Sequence, residues 1–321
     1  MFAMRGIAVS LAIFVLVYCV LSLMVCCVWR RIWLRGRRYS AKSCADLLFA
    51  LRMAPLVSAM GVTLVLAVPS FLLLEPHAVN EAMGGASVWL GFCGMAVLLA
   101  GMWNAAAALM RVSRTVARWS TEATAIGSCL VDSKNSVSVL RSSKAAPPLI
   151  TAGIRRPNVW LSWAAEFVLT ERELQSALRH ESAHVRRRDN LRKLLLRLTA
   201  FPGMAALENV WRETTEMAAD DAAVSSISEA LDLAAAVIKL SRLASLQPPT
   251  ELTTALVHSP AGSVNTRVAR LIAWKERRQA VSSGYSSRYV LYAAAAAVVT
   301  LAVTYSALLA RMHTATEWLV R

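Results

Sequence analysis

Charge is what this sequence is short of. Only 17% of its 321 residues are Asp, Glu, Lys or Arg, against about 25% in an ordinary soluble domain. Acidic residues are the scarcer sign, 20 against 35 Lys and Arg. With 56% hydrophobic side chains and a mean hydropathy of +0.47, the shortage excludes a disordered chain and argues against a purely soluble one. No C-x-x-C occurs among the 6 cysteines, so neither a structural zinc knuckle nor a disulfide framework is indicated. Cys19, Cys26, Cys27 and Cys93 fall in apolar stretches and Cys44 and Cys129 stand alone, so all read as small polarizable apolar residues.

The missing charge is missing in blocks. Residues 7–28, 53–74, 86–110 and 290–310 contain no Asp, Glu, Lys, Arg or His. A helix rising about 1.5 Å per residue needs about 20 residues to cross a hydrocarbon core, and each block is long enough. Pro55 and Pro69 in the second block are tolerated in membrane helices. The first block is too long for the apolar part of a secretory signal, and its basic cluster follows it, which predicts a retained anchor.

The charges that remain orient the spans. The segment WRRIWLRGRRYSAK (29–42) holds six basic residues and no acidic one, whereas EPHAVNEAMGGAS (75–87) holds two acidic residues and no basic one. Basic loops stay on the cytoplasmic side. The expected topology therefore has both termini outside a bacterial inner membrane, residues 111–288 in the cytoplasm and 311–321 as an outer tail. Trp29, Trp33 and Trp89 suit interfacial aromatic belts. Beside a membrane helix, the basic cluster reads as a surface facing anionic lipid of the inner leaflet, and it gives no reason to expect direct nucleic-acid binding.

Residues 111–288 carry 25 basic and 16 acidic side chains, an ordinary soluble composition and enough chain for one domain. SVSVL (136–140) and NVWLS (158–162) alternate among turn-forming breakers, predicting a small β-region. At Thr170 the period becomes helical. Thr170 and Glu173 form a capping-box pattern, and Leu174, Leu178, Leu191, Leu194, Leu195 and Leu198 continue one apolar stripe to Phe201-Pro202-Gly203. Further helices are predicted near 204–225, 229–246 and 263–280, ahead of the fourth span.

The first of these helices contains His180-Glu181-Ser182-Ala183-His184, an H-E-x-x-H. Four residues is slightly more than one turn, so both imidazoles share a face and can hold one Zn²⁺ while Glu181 reaches a water on it. Random order would produce the pattern roughly 0.003 times in this composition, so chance is a poor explanation. A hydrolytic site needs a third protein ligand. No third histidine follows at metzincin spacing. The next helix offers Glu216-Met217-Ala218-Ala219-Asp220, in which Glu216 would complete a His₂Glu set and Asp220, one turn on, would orient a ligand imidazole. Glu208, Glu213 and Asp221 are the competing acids; Glu216 is preferred for its small-residue turn and its carboxylate at i+4.

PPLITAGIRRPNVWLS (147–162), LTERELQSALRHESAHVRRRDN (169–190), EMAADDA (216–222) and RVARL (267–271), set between spans three and four, resemble the BlaR/MecR-type antirepressor membrane metallopeptidases. The resemblance implies an α-helical polytopic membrane protein of four spans with a cytoplasmic α+β gluzincin-type metallopeptidase domain. It implies His180, His184 and Glu216 as zinc ligands, Glu181 as the base, and a cytoplasmic protein substrate such as a transcriptional repressor. Only 11 residues follow Ala310, so the penicillin-binding sensor domain of β-lactam-responsive members is not expected in this chain. Oligomeric state is open, a homo-oligomer included.

Three further expectations concern the surroundings of the zinc. Substrate would extend along an edge strand, for which NVWLS is the candidate. An oxyanion donor is expected from His258, in VHSP, or from Arg267; the HSP loosely resembles a His-Pro element of the HtpX-kind membrane proteases. Arg186, Arg187 and Arg188 read as a solvated helix face, with Asp189 pairing one of them. The rival functions are HtpX-like quality control of membrane proteins and a non-proteolytic membrane signalling scaffold.

Overall fold

The computed structural model describes residues 2–36, 39–75, 84–121, 123–132, 135–142, 147–198, 201–244, 254–255, 261–274 and 304–316. It is mostly helical, with one small mixed sheet. Three helical stretches are long and apolar enough to cross a membrane: Phe2–Gly36, Ala41–Leu74 and Gly85–Ser120. They enclose the first three charge-free blocks and overrun them by up to twelve residues. The fourth block lies largely outside the described residues; 304–316 are helical.

The first stretch is helix α1 (Phe2–Gly36). The second comprises α2 (Ala41–Val62), a π-helical turn at Thr63–Ala67 and α3 (Val68–Leu74). Ser40 starts α2 by accepting from Ser43 N at 3.2 Å. The π turn has a local cause: Pro69 lacks the N–H that would serve the Val65 carbonyl in an α-helix. The Tyr305 hydroxyl donates to that carbonyl at 3.0 Å, and Ser70 Oγ donates to Leu309 O at 3.3 Å. The helical segment 304–316 thus docks where the second stretch has a backbone acceptor to spare, as a low-dielectric setting requires. Helix α4 (Gly85–Ser120) lies against α1 at Gly91 and Gly94, where any Cβ on Gly94 would overlap the Leu11 carbonyl.

After α4 come β1 (Thr124–Asp132), β2 (Asn135–Ser142), β3 (Leu149–Ala152) and β4 (Asn158–Ser162), and later the two-residue β5 (Thr254–Ala255). The sheet order is β1-β2-β4-β3-β5, with β2 and β4 parallel and the other pairs antiparallel. NVWLS is therefore an interior strand, which corrects the expectation of an edge. Its composition agrees: Val159, Trp160 and Leu161 are all buried, as a strand covered on both faces and both edges must be. One face packs on Trp119 at the end of α4, whose ring centroid is 5.7 Å from that of Trp160.

The remaining helices are α5 (Trp163–Val168), α6 (Glu171–Arg187), α7 (Asp189–Arg197), α8 (Ala205–Ala223), α9 (Ile227–Ala244) and α10 (Ala261–Ile272), of which α5, α6, α9 and α10 cover the other face of the sheet. Leu149, Val159 and Leu161 share a core with Ala177 of α6, Leu233, Val237 and Leu240 of α9 and Leu271 of α10. The capping box at Thr170 and Glu173 is formed in both directions. The stripe read as one helix to Leu198 is instead two, because Arg188 adopts a left-handed conformation at φ 54°, ψ 41° and ends α6.

The long apolar helices do not stop at the edge of this helical layer. Phe201 packs edge-on against Tyr18 with centroids 5.9 Å apart, Val25 and Trp29 of α1 bury Met204 and Leu207, and Leu198 O closes on Gly101 of α4. Parts of the first and third charge-free blocks are thus covered by the α6–α8 region.

Candidate metal centre

Helix α6 presents its apolar stripe to the sheet and, on the same side, buries His180, Glu181 and His184, each at most 1% exposed. Helix α8 crosses it and brings Glu216, also buried. One potential ligand atom from each of His180, His184 and Glu216 lies within 4.8 Å of the others. The separations are 3.0 Å between the two Nε2 atoms, 3.5 Å from His180 Nε2 to Glu216 Oε2, and 3.6 Å from His184 Nε2 to Glu216 Oε1. Ligands about 2.05 Å from a tetrahedral ion stand about 3.3 Å apart, so these separations bracket the spacing such an ion requires.

Carboxylates sit behind both histidines. Asp220 Oδ1 is 3.0 Å from His180 Nδ1, and Asp189 Oδ2 is 2.7 Å from His184 Nδ1. If each Nδ1 keeps its proton for its carboxylate, both Nε2 atoms present lone pairs to each other at 3.0 Å. Two facing lone pairs repel; a cation between them turns the repulsion into coordination. The surrounding charge favours a cation here: burial opposes one on His184, but the Glu216 and Asp189 carboxylates outweigh burial and raise the His184 pKa to about 10. For Glu216, burial is likewise outweighed by His184, His180 and Arg267, and its carboxyl lies well below the usual range. The donor set and its flanking carboxylates fit a divalent ion.

The break at Arg188 builds half of this arrangement. A straight continuation of α6 would carry residue 189 away from the preceding turn; the left-handed residue folds the chain back so that Asp189 reaches His184. Asn190 then donates to the Thr151 and Gly153 carbonyls at 3.2 and 3.1 Å, tying the turn to β3. Gly153 has φ 106°, and a Cβ there would lie 2.6 Å from Arg156 O, so glycine is required where β3 turns towards β4.

Glu181 faces the same strand. Its Oε2 accepts from the Thr151 hydroxyl at 2.5 Å, while Oε1 has no hydrogen-bond partner among the described residues. Burial is the main cause that lifts its carboxyl above the ordinary range, against the lowering pull of His184, His180 and Thr151.

The remaining predicted residues sort by partner. Arg267, 1% exposed, donates to Asp220 from Nε at 2.9 Å and Nη2 at 2.6 Å and lies 3.3 Å from Glu216 Oε2. Its guanidinium pairs with Asp220 and with the candidate ligand Glu216. Of the competing acids, Glu208 pairs with Arg52 and Asp221 with Arg270. His258 lies outside the described residues. The solvated reading holds for Arg186 and fails for Arg187, whose side chain is 8% exposed between Asp46 and Asp189. Asp189 accordingly serves His184 as well as an arginine. Sequence reasoning missed that role and that of Thr151; the signal for Asp189 was its place directly after the arginine run, and Thr151 carried none.

No family model matches the chain, and no curated protein is significantly similar to it.

Proposed function

We propose that this protein is an integral-membrane zinc endopeptidase of gluzincin type, with four spans and a cytoplasmic catalytic domain, that cleaves a cytoplasmic protein such as a transcriptional repressor. The observation that carries the reading is the convergence of His180, His184 and Glu216 on one point beside the buried Glu181 carboxylate. Two imidazoles and one carboxylate make the His₂Glu set of hydrolytic zinc sites, and a tetrahedral ion would have one position left open. Three apolar helices support the membrane setting, and the basic segment 29–42 supports a cytoplasmic domain.

Zinc, when bound, supplies the Lewis acidity that acidifies a water and polarises a scissile carbonyl. The residues of this chain do the rest. Glu181, held by Thr151 through one oxygen, uses its free Oε1 to take the proton of the attacking water and pass it to the departing amine nitrogen. Its raised pKa suits both halves of that exchange. Asp220 and Asp189 keep the imidazoles oriented, and Arg267 fixes Asp220 and Glu216.

The test is Glu181→Gln in full-length protein, with zinc content and the cellular proteome compared with wild type. Retained zinc with one stabilised DNA-binding protein supports the proposal. Accumulated membrane-protein fragments would favour HtpX-like quality control instead, and absence of zinc from wild type would sink the peptidase reading.

A further inference from the structure

The His184 side of the centre connects back to the apolar helices through a short chain of charges. Asp46, in the second turn of α2, accepts from Arg192 Nη1 at 2.6 Å and lies 3.7 Å from Arg187 Nη2. Arg187 Nε is in turn 3.5 Å from Asp189 Oδ1, and Asp189 Oδ2 is the 2.7 Å partner of His184. The two arginines stand on either side of the left-handed turn at Arg188, so a single carboxylate from α2 grips both flanks of the turn that carries Asp189.

Burial gives this chain its leverage. Asp189 is fully buried and the Arg187 side chain is 8% exposed, with Nε, Nη1 and Nη2 making no hydrogen bond among the described residues. A buried guanidinium between two carboxylates, at 3.5 and 3.7 Å, is shared by both and closed on neither. Remove one carboxylate and the cation settles on the other. If that other is Asp189, its negative charge is drawn from His184 and the imidazole becomes a poorer metal donor. Six residues along α2, Arg52 pairs with Glu208, two turns before the ligand Glu216 on α8. Both ligand-bearing arms are therefore fastened to one apolar helix.

We infer that Asp46 is a positioning residue for the metal centre: through Arg187 and Arg192 it holds Asp189 on His184, so that the placement of the α2 end sets metal affinity. The inference rests on the proposed metal site. It makes α2 the element through which a signal at the membrane would reach the centre, with no residue of α2 touching metal or substrate.

The experiment measures Zn²⁺ and Co²⁺ dissociation constants, and the Co²⁺ absorption spectrum, for full-length detergent-solubilised protein. Asp46→Asn, Arg187→Gln, Arg192→Gln and the Asp46→Asn/Arg187→Gln double variant are compared with wild type and with His184→Ala. Removing the carboxylate behind a metal-ligating histidine costs about 10- to 100-fold in affinity, and a residue one step further back is expected to cost about 3- to 10-fold. Asp46→Asn should weaken both metals by that factor and shift the cobalt spectrum, Asp46→Glu should restore both, and the double variant should be no weaker than the worse single one. Asp46 is 41% exposed on its side chain, so its substitutions leave the fold intact, and circular dichroism checks the folding of every variant. If wild type binds metal and His184→Ala abolishes binding while Asp46→Asn binds like wild type, the inference falls and the metal site stands. If wild type binds neither metal, both fall. Additive losses in the double variant overturn the route through Arg187.

Discussion

His184 and Asp189 are five residues apart in the chain and 2.7 Å apart in space, joined across the one non-glycine residue with positive φ among the described residues, Arg188. A helix ending in such a residue returns its next side chain towards its own last turn, and here that side chain is the carboxylate behind the imidazole of a candidate metal ligand. Replacing Asp189 with Asn keeps the shape and removes the charge. Zinc affinity is expected to fall about 10- to 100-fold, measured by competition with a chelator, with helical content unchanged.

Arg188 itself bears the conformational cost. A left-handed non-glycine residue costs about 1 kcal/mol, and its side chain is exposed. Arg188→Gly should therefore hold or raise thermal stability, whereas the β-branched Arg188→Val should lower it and loosen metal binding by displacing Asp189. Equal melting temperatures for the two variants would contradict the backbone explanation.

Thr151 holds Glu181 through one short hydrogen bond. Thr151→Val preserves volume in β3 and leaves the carboxylate without its donor inside the protein. Turnover should drop by about tenfold, the worth of roughly 1.4 kcal/mol in a barrier, while zinc content stays at the wild-type level. Loss of zinc together with activity would place Thr151 in the structure of the site and outside its chemistry.

Arg52 and Glu208 tie α2 to α8, and the Arg52 side chain is 2% exposed. Glu208→Gln removes the opposing charge from a buried guanidinium and should destabilise the protein by about 3 kcal/mol. The double variant Arg52→Met/Glu208→Leu should cost less than Glu208→Gln alone, as read from denaturation midpoints in one detergent.

Glu229 links α9 to α6 through Arg179 and accepts from the Ser225 backbone and hydroxyl. The Ser225 hydrogen bonds first, then Arg179, hold its carboxyl at about 2, below its ordinary value of 4.5. A depressed carboxyl contributes stability that is present above its unfolded pKa and lost as pH falls through the folded one. Glu229→Gln should thus cost about 0.5 kcal/mol at neutral pH, a small figure because solvent screens the pair, and the difference from wild type should fade between pH 4.5 and about 2.

Much of the candidate site was legible in residues spaced by one helical turn. His180, Glu181 and His184 share a face because of the 3.6-residue period, and Glu216 with Asp220 repeats that logic on the next helix. Spacing within a helix is local geometry. The Thr151 hydroxyl, the Asn190 clamp on β3 and the commitment of Arg267 to Asp220 join residues 30 to 47 positions apart, and no periodicity reports such pairs. The interior place of NVWLS escaped for a related reason: its run of buried residues suits either an edge or a centre until β2 and β3 are paired on it.

The sequence by itself determined that long charge-free helices exist, that a separate charged domain follows them, and that one helix of that domain carries two imidazoles and a carboxylate on one face. These follow from composition and period, which act along a single element. Only the tertiary structure decided how much of each apolar helix serves the neighbouring domain, through contacts such as Tyr18 with Phe201 and Gly101 with Leu198. It alone set Asp46 and Arg187 between α2 and the centre. Hydrophobic burial has no direction, so an apolar window reads the same whichever surface finally covers it, and a buried charge takes its meaning from the partner that folding brings beside it.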